Sequence, residues 1–156
     1  MGAVFFYELH GTPLEATLPM LLDKARGQGW RVLVRSTDQD LLTRLDDHLW
    51  QGPVDGFLPH GLAGGPHDCD QPILLGDLPA TGFACVMAVG GAAISAQEAG
   101  DLARGCILFD SDEVSKAAAR LQWKALTEAG IAAQYWAQED GRWIKKAERP
   151  ASGNAS

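Results

Sequence analysis

The sequence predicts an α/β fold: a single domain with a Rossmann-like, mostly parallel sheet and helices on both faces. Two observations carry this. Short runs rich in β-formers alternate with amphipathic helical stretches along most of the chain, the pattern of a parallel sheet with helical crossovers. The length of 156 residues, with 46% hydrophobic and 21% charged residues, suits one globular domain, and no repeat or linker divides it.

Each element has a local reason. AVFFYEL (3–9) is a short apolar run and reads as the first strand. In the helix that follows, Thr12 is expected as the N-cap, Pro13 at the first helical position and Glu15 closing a capping box. Leu14, Leu18, Leu21, Leu22 and Ala25 form its apolar stripe, and Gly29 stops it. WRVLVRS (30–36) is the second strand, and Thr37 with Asp40 is expected to open a helix carrying Leu41, Leu42, Leu45 and Leu49. Residues 51–71 read as a loop, FLPHGLAGGPHDCD being a poor candidate for strand or helix. PILLG (72–76), FACVMAVG (83–90) and GCILFD (105–110) read as strands, with a weak helix around 96–103. Asp110 is expected to cap a strong helix, with Glu113 three residues on, that runs to Ala129 and Gly130. IAAQYWAQ (131–138) and GRWIKKA (141–147) complete a domain expected over residues 1–147, with 148–156 a flexible tail.

Composition narrows the function. No run of 18 apolar residues exists, so no membrane span is expected, and the N-terminus reads as a strand instead of a signal peptide. Cys69, Cys85 and Cys106 form no CxxC pair, and an odd count argues against a disulfide framework; the cytoplasm is the expected location. Cys85 and Cys106, in apolar runs, are expected to be buried. A net charge of −7 speaks against direct nucleic-acid binding. Yet residues 116–149 carry seven basic and four acidic residues, a basic island on an acidic chain.

The chemistry-bearing stretches sort as follows. There is no G-x-x-x-x-G-K-[ST] loop, and the two glycines of AVGGAA (88–93) lack dinucleotide spacing, so no nucleotide cofactor is expected. His67 to Asp70 hold ligand-type atoms, but four consecutive residues cannot all face one ion and no second ligand pair is suitably spaced. That segment reads as a solvated loop, with no metal. His10 and His60 have no evident nucleophile beside them in sequence, so no catalytic residue is assigned.

In the strong C-terminal helix, 100° spacing places Val114, Ala118, Leu121 and Ala125 on one face, expected to meet the sheet. Lys116, Arg120, Trp123, Lys124 and Thr127 then fall on the outer face. An aromatic floor flanked by two cations suits a peptide that is both acidic and apolar, although Tyr135, Trp136 or Trp143 are available to cover Trp123. Trp50 and Phe57 bracket a Gly/Pro-containing loop, as either plugs of the fold's own edge or anchors of an interface.

FYEL, GWRVLVR, RLDDHLW, FLPHGLAG, QPILL, LFDSDE, ARLQWKALTEAG and YWAQEDGRWIKKA, in that order, together resemble the χ (chi) subunit family of bacterial DNA polymerase III over about residues 5–147. The resemblance implies a Rossmann-like fold without a working nucleotide site and an accessory role in DNA replication without catalysis of its own. It implies binding of the acidic, Phe-ended C-terminal tail of single-stranded DNA-binding protein at the matching Phe109, Arg120, Trp123 and Lys124. It further implies attachment to the ψ (psi) subunit, or another clamp-loader component or a helicase, through Trp50 and Phe57, with Pro59 and His60 in the adjacent loop. Contact with DNA would then be indirect. The alternative from another class is a nucleotide- or metal-dependent hydrolase on the same fold.

Overall fold

The chain folds as β1 (Ala3–Leu9), α1 (Leu14–Gly27), β2 (Val32–Arg35), α2 (Gln39–Trp50), β3 (His60–Leu62), β4 (Ile73–Leu75), β5 (Cys85–Ala88), α3 (Ala96–Asp101), β6 (Arg104–Asp110), α4 (Glu113–Glu128), β7 (Ala132–Glu139) and β8 (Arg142–Arg149). The structure, a computed structural model, describes residues 3–10, 13–50 (without the Trp50 side chain), 60–63, 71–140 and 142–150. The expectations for Thr12, Phe57, Pro59 and His67 to Asp70 lie outside these residues.

All eight strands form one sheet in the order β3-β4-β2-β5-β6-β1-β7-β8. β3 through β7 pair in parallel, and β8 pairs antiparallel to β7. The α/β class and the mostly parallel sheet are therefore as the alternation of elements predicts. Helices cover both faces because strand parity divides the apolar residues. Val32, Val34, Cys85, Met87, Cys106 and Leu108 meet the leucines of α1 and α2 on one face. Leu33, Val86, Ala88, Ile107 and Phe109 meet Ala99, Ala119 and Leu126 on the other.

Cys85 and Cys106 are buried free thiols, as expected. The neighbouring Cys85 and then burial push the Cys106 thiol well up. No helix among the described residues is long and apolar enough to cross a membrane.

Several boundaries shift from the sequence reading. Pro13 itself is the N-cap of α1, with no side-chain cap bond. Asp38 caps α2, its carboxylate accepting from the Leu41 N–H at 3.2 Å. Asp112, not Asp110, caps α4, accepting from the Ser115 N–H at 3.0 Å. The reason is that Asp110 pairs with Leu9 and belongs to the ladder, so the helix can be capped only beyond it. β8 extends through Glu148 and Arg149, which pair with Gln134 and Ala133, so residues 148 and 149 are strand and not tail. The expected loop at 51–71 contains β3, a three-residue strand paired with β4.

The weak helix at 96–103 proves to be short but firmly built. Ser95 and Glu98 form a complete capping box at its start. Glu98 also binds Arg35 through two hydrogen bonds of 2.9 and 2.6 Å, fastening α3 to the end of β2. The remaining Arg35 donors go to the Leu78 and Ala93 carbonyls, so the guanidinium of this buried residue is fully engaged.

Candidate functional site

α4 decides the site through the face it turns to the sheet, and that face is the reverse of the one expected. Val114 and Leu121 are 80% and 71% exposed, while Ala119 and Leu126 are buried. Trp123, expected to point away from the core, packs against it. The physical reason is ring area. Phe6 and Tyr135 offer a large aromatic surface beneath the helix, and burying Trp123 with Leu126 there removes more apolar area from water than burying Val114 and Leu121 would.

The result is a four-ring cluster. The Trp123 indole meets Phe6 edge-on at 5.4 Å and Tyr135 edge-on at 6.1 Å. Phe6 and Tyr135 stack at 6.5 Å, and Phe109 meets Tyr135 edge-on at 5.8 Å. Phe109 is 8% exposed, so it supports Tyr135 from beneath more than it lines a surface. Trp123 and Tyr135 remain half-buried. Arg120 and Lys124 stand exposed on the same helix, and neither side chain makes a hydrogen bond or ion pair with another described residue. The structure thus brings Phe109, Arg120 and Trp123 around Tyr135, with Lys124 beside Trp123 in the chain.

Tyr135 and Glu8 belong to the cluster although the sequence reading gave neither a role in binding. The Tyr135 hydroxyl donates to the Glu8 carboxylate, which also contacts the His10 ring. Burial alone would raise the Glu8 carboxyl, but hydrogen bonds from Tyr135 and His10 and the Lys116 charge outweigh it and hold it below the ordinary carboxylate range. Burial, followed by the Glu8 hydrogen bond, pushes the Tyr135 hydroxyl up, while the charge of Arg120 opposes this. Arg120 is therefore close enough to act on Tyr135. The available signal was period 2: consecutive Tyr135 and Trp136 in a strand must face opposite sides of the sheet.

The second expected site is only partly visible. The His60 side chain is fully buried, its Nε2 at 3.3 Å from both the Asp46 carbonyl and the Asp46 carboxylate. His60 therefore ties β3 to α2 and does not present itself to a partner, contrary to its expected place on an interface. Trp50 ends α2.

The crevice at the C-terminal ends of the strands, where open α/β sheets place ligands, has a volume of about 400 Å³. Gly90 and Gly91 line it in left-handed turns, with φ of 62° and 87°. A Cβ on Gly90 would lie 2.6 Å from the Leu41 side chain, so its glycine serves packing. The charged side chains in its wall are Glu15, Asp110 and Arg44, and Arg44 lies 3.6 Å from Glu15, a poor electrostatic match for a polyphosphate. Among the described residues no three His, Cys, Asp or Glu side chains gather as metal ligands would.

Comparison with known proteins bears on these sites. The family described as "DNA polymerase III chi subunit, HolC" matches residues 1–134, a stretch that contains α2 and the whole of α4. A curated relative, DNA polymerase III subunit chi of Pseudomonas aeruginosa, is 33% identical over 79 residues. That alignment covers 49% of this chain and 54% of the relative, so the chain spans about half the length of the curated relative it matches. With the family match running from the first strand through α4 into the start of β7, the chain belongs to the DNA polymerase III chi subunit family.

Proposed function

We propose that the chain is a non-catalytic accessory subunit of the DNA polymerase III holoenzyme that bridges the clamp loader to single-stranded DNA-binding protein. Its α4 surface takes that protein's acidic, Phe-ended C-terminal tail. The observation that carries this reading is the half-buried Trp123–Tyr135 ledge with Arg120 and Lys124 exposed beside it. The ledge accepts an apolar ring, Arg120 forks the terminal carboxylate, and Lys124 attracts the outer acids. Phe109 acts through Tyr135, which it braces.

Trp50 and Phe57, with Pro59 and His60 in the adjacent loop, are assigned to attachment to the ψ subunit, another clamp-loader component or a helicase; His60 acts only indirectly, through its tie to Asp46 of α2. DNA is reached only through the tail-bearing partner.

The test is a fluorescence anisotropy titration with a labelled acidic peptide ending in Phe. Arg120→Glu and Lys124→Glu should each weaken binding by tenfold or more, about 1.4 kcal/mol, because attraction becomes repulsion beside a desolvated carboxylate. Undiminished binding by both variants, with native circular dichroism, sinks the reading.

A further inference from the structure

On the sheet face opposite the α4 site, five large rings are left half-buried together: Phe5, Tyr7, Trp30, Trp136 and Trp143. They line a groove of about 240 Å³, with α1 as one wall and β8 contributing Trp143 to the other. Tyr7 and Trp136 are register neighbours on adjacent parallel strands, and Trp143 meets Tyr7 edge-on at 5.2 Å. The grouping follows from strand parity. Phe5 and Tyr7 alternate with Val4 and Phe6, which face α3 and α4, while the buried core on the groove's side gathers around α1 and α2.

The charge in this groove is one-sided. Arg104 lies over Phe5 at 4.3 Å and Trp30 at 5.2 Å, and Lys24 stands at the α1 wall; among the described residues no acidic side chain lines it. On a chain with net charge −7 this is an unusual patch. A guanidinium stacked on rings keeps its N–H edge for a planar acceptor, and Arg104 spends no side-chain hydrogen bond on another described residue. Lys145, across the strands from Trp136, is engaged by Glu148 at 3.0 Å and adds little net charge.

We propose that this groove binds an acidic peptide segment of a partner protein through one aromatic side chain, at a site separate from the α4 stripe. The groove has room for one large ring, which the surrounding aromatics contact, while Arg104 and Lys24 take the carboxylates that flank it. Two cations on an acidic chain are too few for a run of phosphates, which disfavours single-stranded nucleic acid. Residues 151–156, ASGNAS, carry neither a ring nor an acidic side chain and do not match the groove's chemistry.

The probe is a labelled, C-terminally amidated peptide with one central Trp between pairs of Asp, titrated by anisotropy against the full chain. The amide removes the terminal carboxylate that the α4 site requires. Trp143→Ala and Lys24→Glu should each weaken binding about tenfold, Trp143→Phe should retain it, and Lys124→Glu should leave it unchanged. Should Trp143→Ala lower the melting temperature, Lys24→Glu decides, since Lys24 is exposed. The proposal is overturned by no saturable binding to the wild-type chain, or by loss in Lys124→Glu but not in Lys24→Glu. Tighter binding of an oligothymidylate than of the peptide overturns it in favour of nucleic acid. A wild-type dimer in sedimentation that Trp143→Ala makes monomeric overturns it in favour of a second copy.

Discussion

Trp123 meets Tyr135 edge-on at 6.1 Å, so the largest side chain of α4 is both part of the core and the floor of the proposed binding surface. Stability and binding are therefore coupled at this residue. Trp123→Ala should lower unfolding free energy by about 2–3 kcal/mol in urea denaturation and weaken the Phe-ended peptide together. A variant of undiminished stability would show that the ring contributes nothing to packing.

Tyr135→Phe tests the support beneath that floor. It keeps the ring and removes only the hydroxyl that donates to Glu8. A buried carboxylate losing one donor should cost about 1–2 kcal/mol. The Glu8 carboxyl should also titrate higher than in the wild type, since the Tyr135 hydrogen bond is among the interactions that lower it. Side-chain carboxyl NMR titration of both proteins reads the direction.

Arg35 and Glu98 make stability sensitive to acid. The Arg35 hydrogen bonds, against the cost of burial, hold the Glu98 carboxyl down at about 2, below its ordinary 4.5. A depressed carboxyl pKa stabilises the fold fully above the ordinary value, and the contribution is lost as pH falls from about 4.5 towards 2. Glu98→Gln should flatten the pH dependence of melting temperature across that window. At neutral pH it should destabilise by about 3 kcal/mol, because Arg35 stays buried without its partner charge.

Salt separates the two components of the α4 surface. Raising ionic strength should weaken the Phe-ended peptide in the wild type, since exposed charges are screened over about 10 Å at 0.1 M. Lys124→Glu should show a smaller or reversed salt dependence, and Trp123→Ala one close to wild type. Identical slopes in all three proteins would remove Lys124 from the contact.

The orientation of α4 can be checked by a pair of substitutions. Leu121→Ser, at a position 71% exposed, should change stability by less than about 0.5 kcal/mol. Leu126→Ala, at a position 1% exposed, should cost about 2–4 kcal/mol in the same denaturation experiment. The opposite ranking would restore the orientation that the helical period suggested.

The sequence by itself determined the fold class, because runs such as VLVR and CILFD and the leucine stripes of α1 and α2 are local patterns whose period names the element. It also determined the family, since motifs spread from the first strand into β7 keep their order. Tertiary structure alone decided which way α4 faces. The helix has two apolar stripes, Val114/Leu121 and Ala119/Trp123/Leu126; the helical period suggested the first for the sheet, and packing turned the second to it. Phe6 and Tyr135 made the choice, and they lie on strands that reach α4 only after β1 and β7 have paired. The same holds for His60, which became a buried tie to Asp46 only when β3 paired with β4 beside α2. Helix periods and caps are written over three or four residues; the partner that decides inside from outside comes from distant sequence, and only packing supplies it.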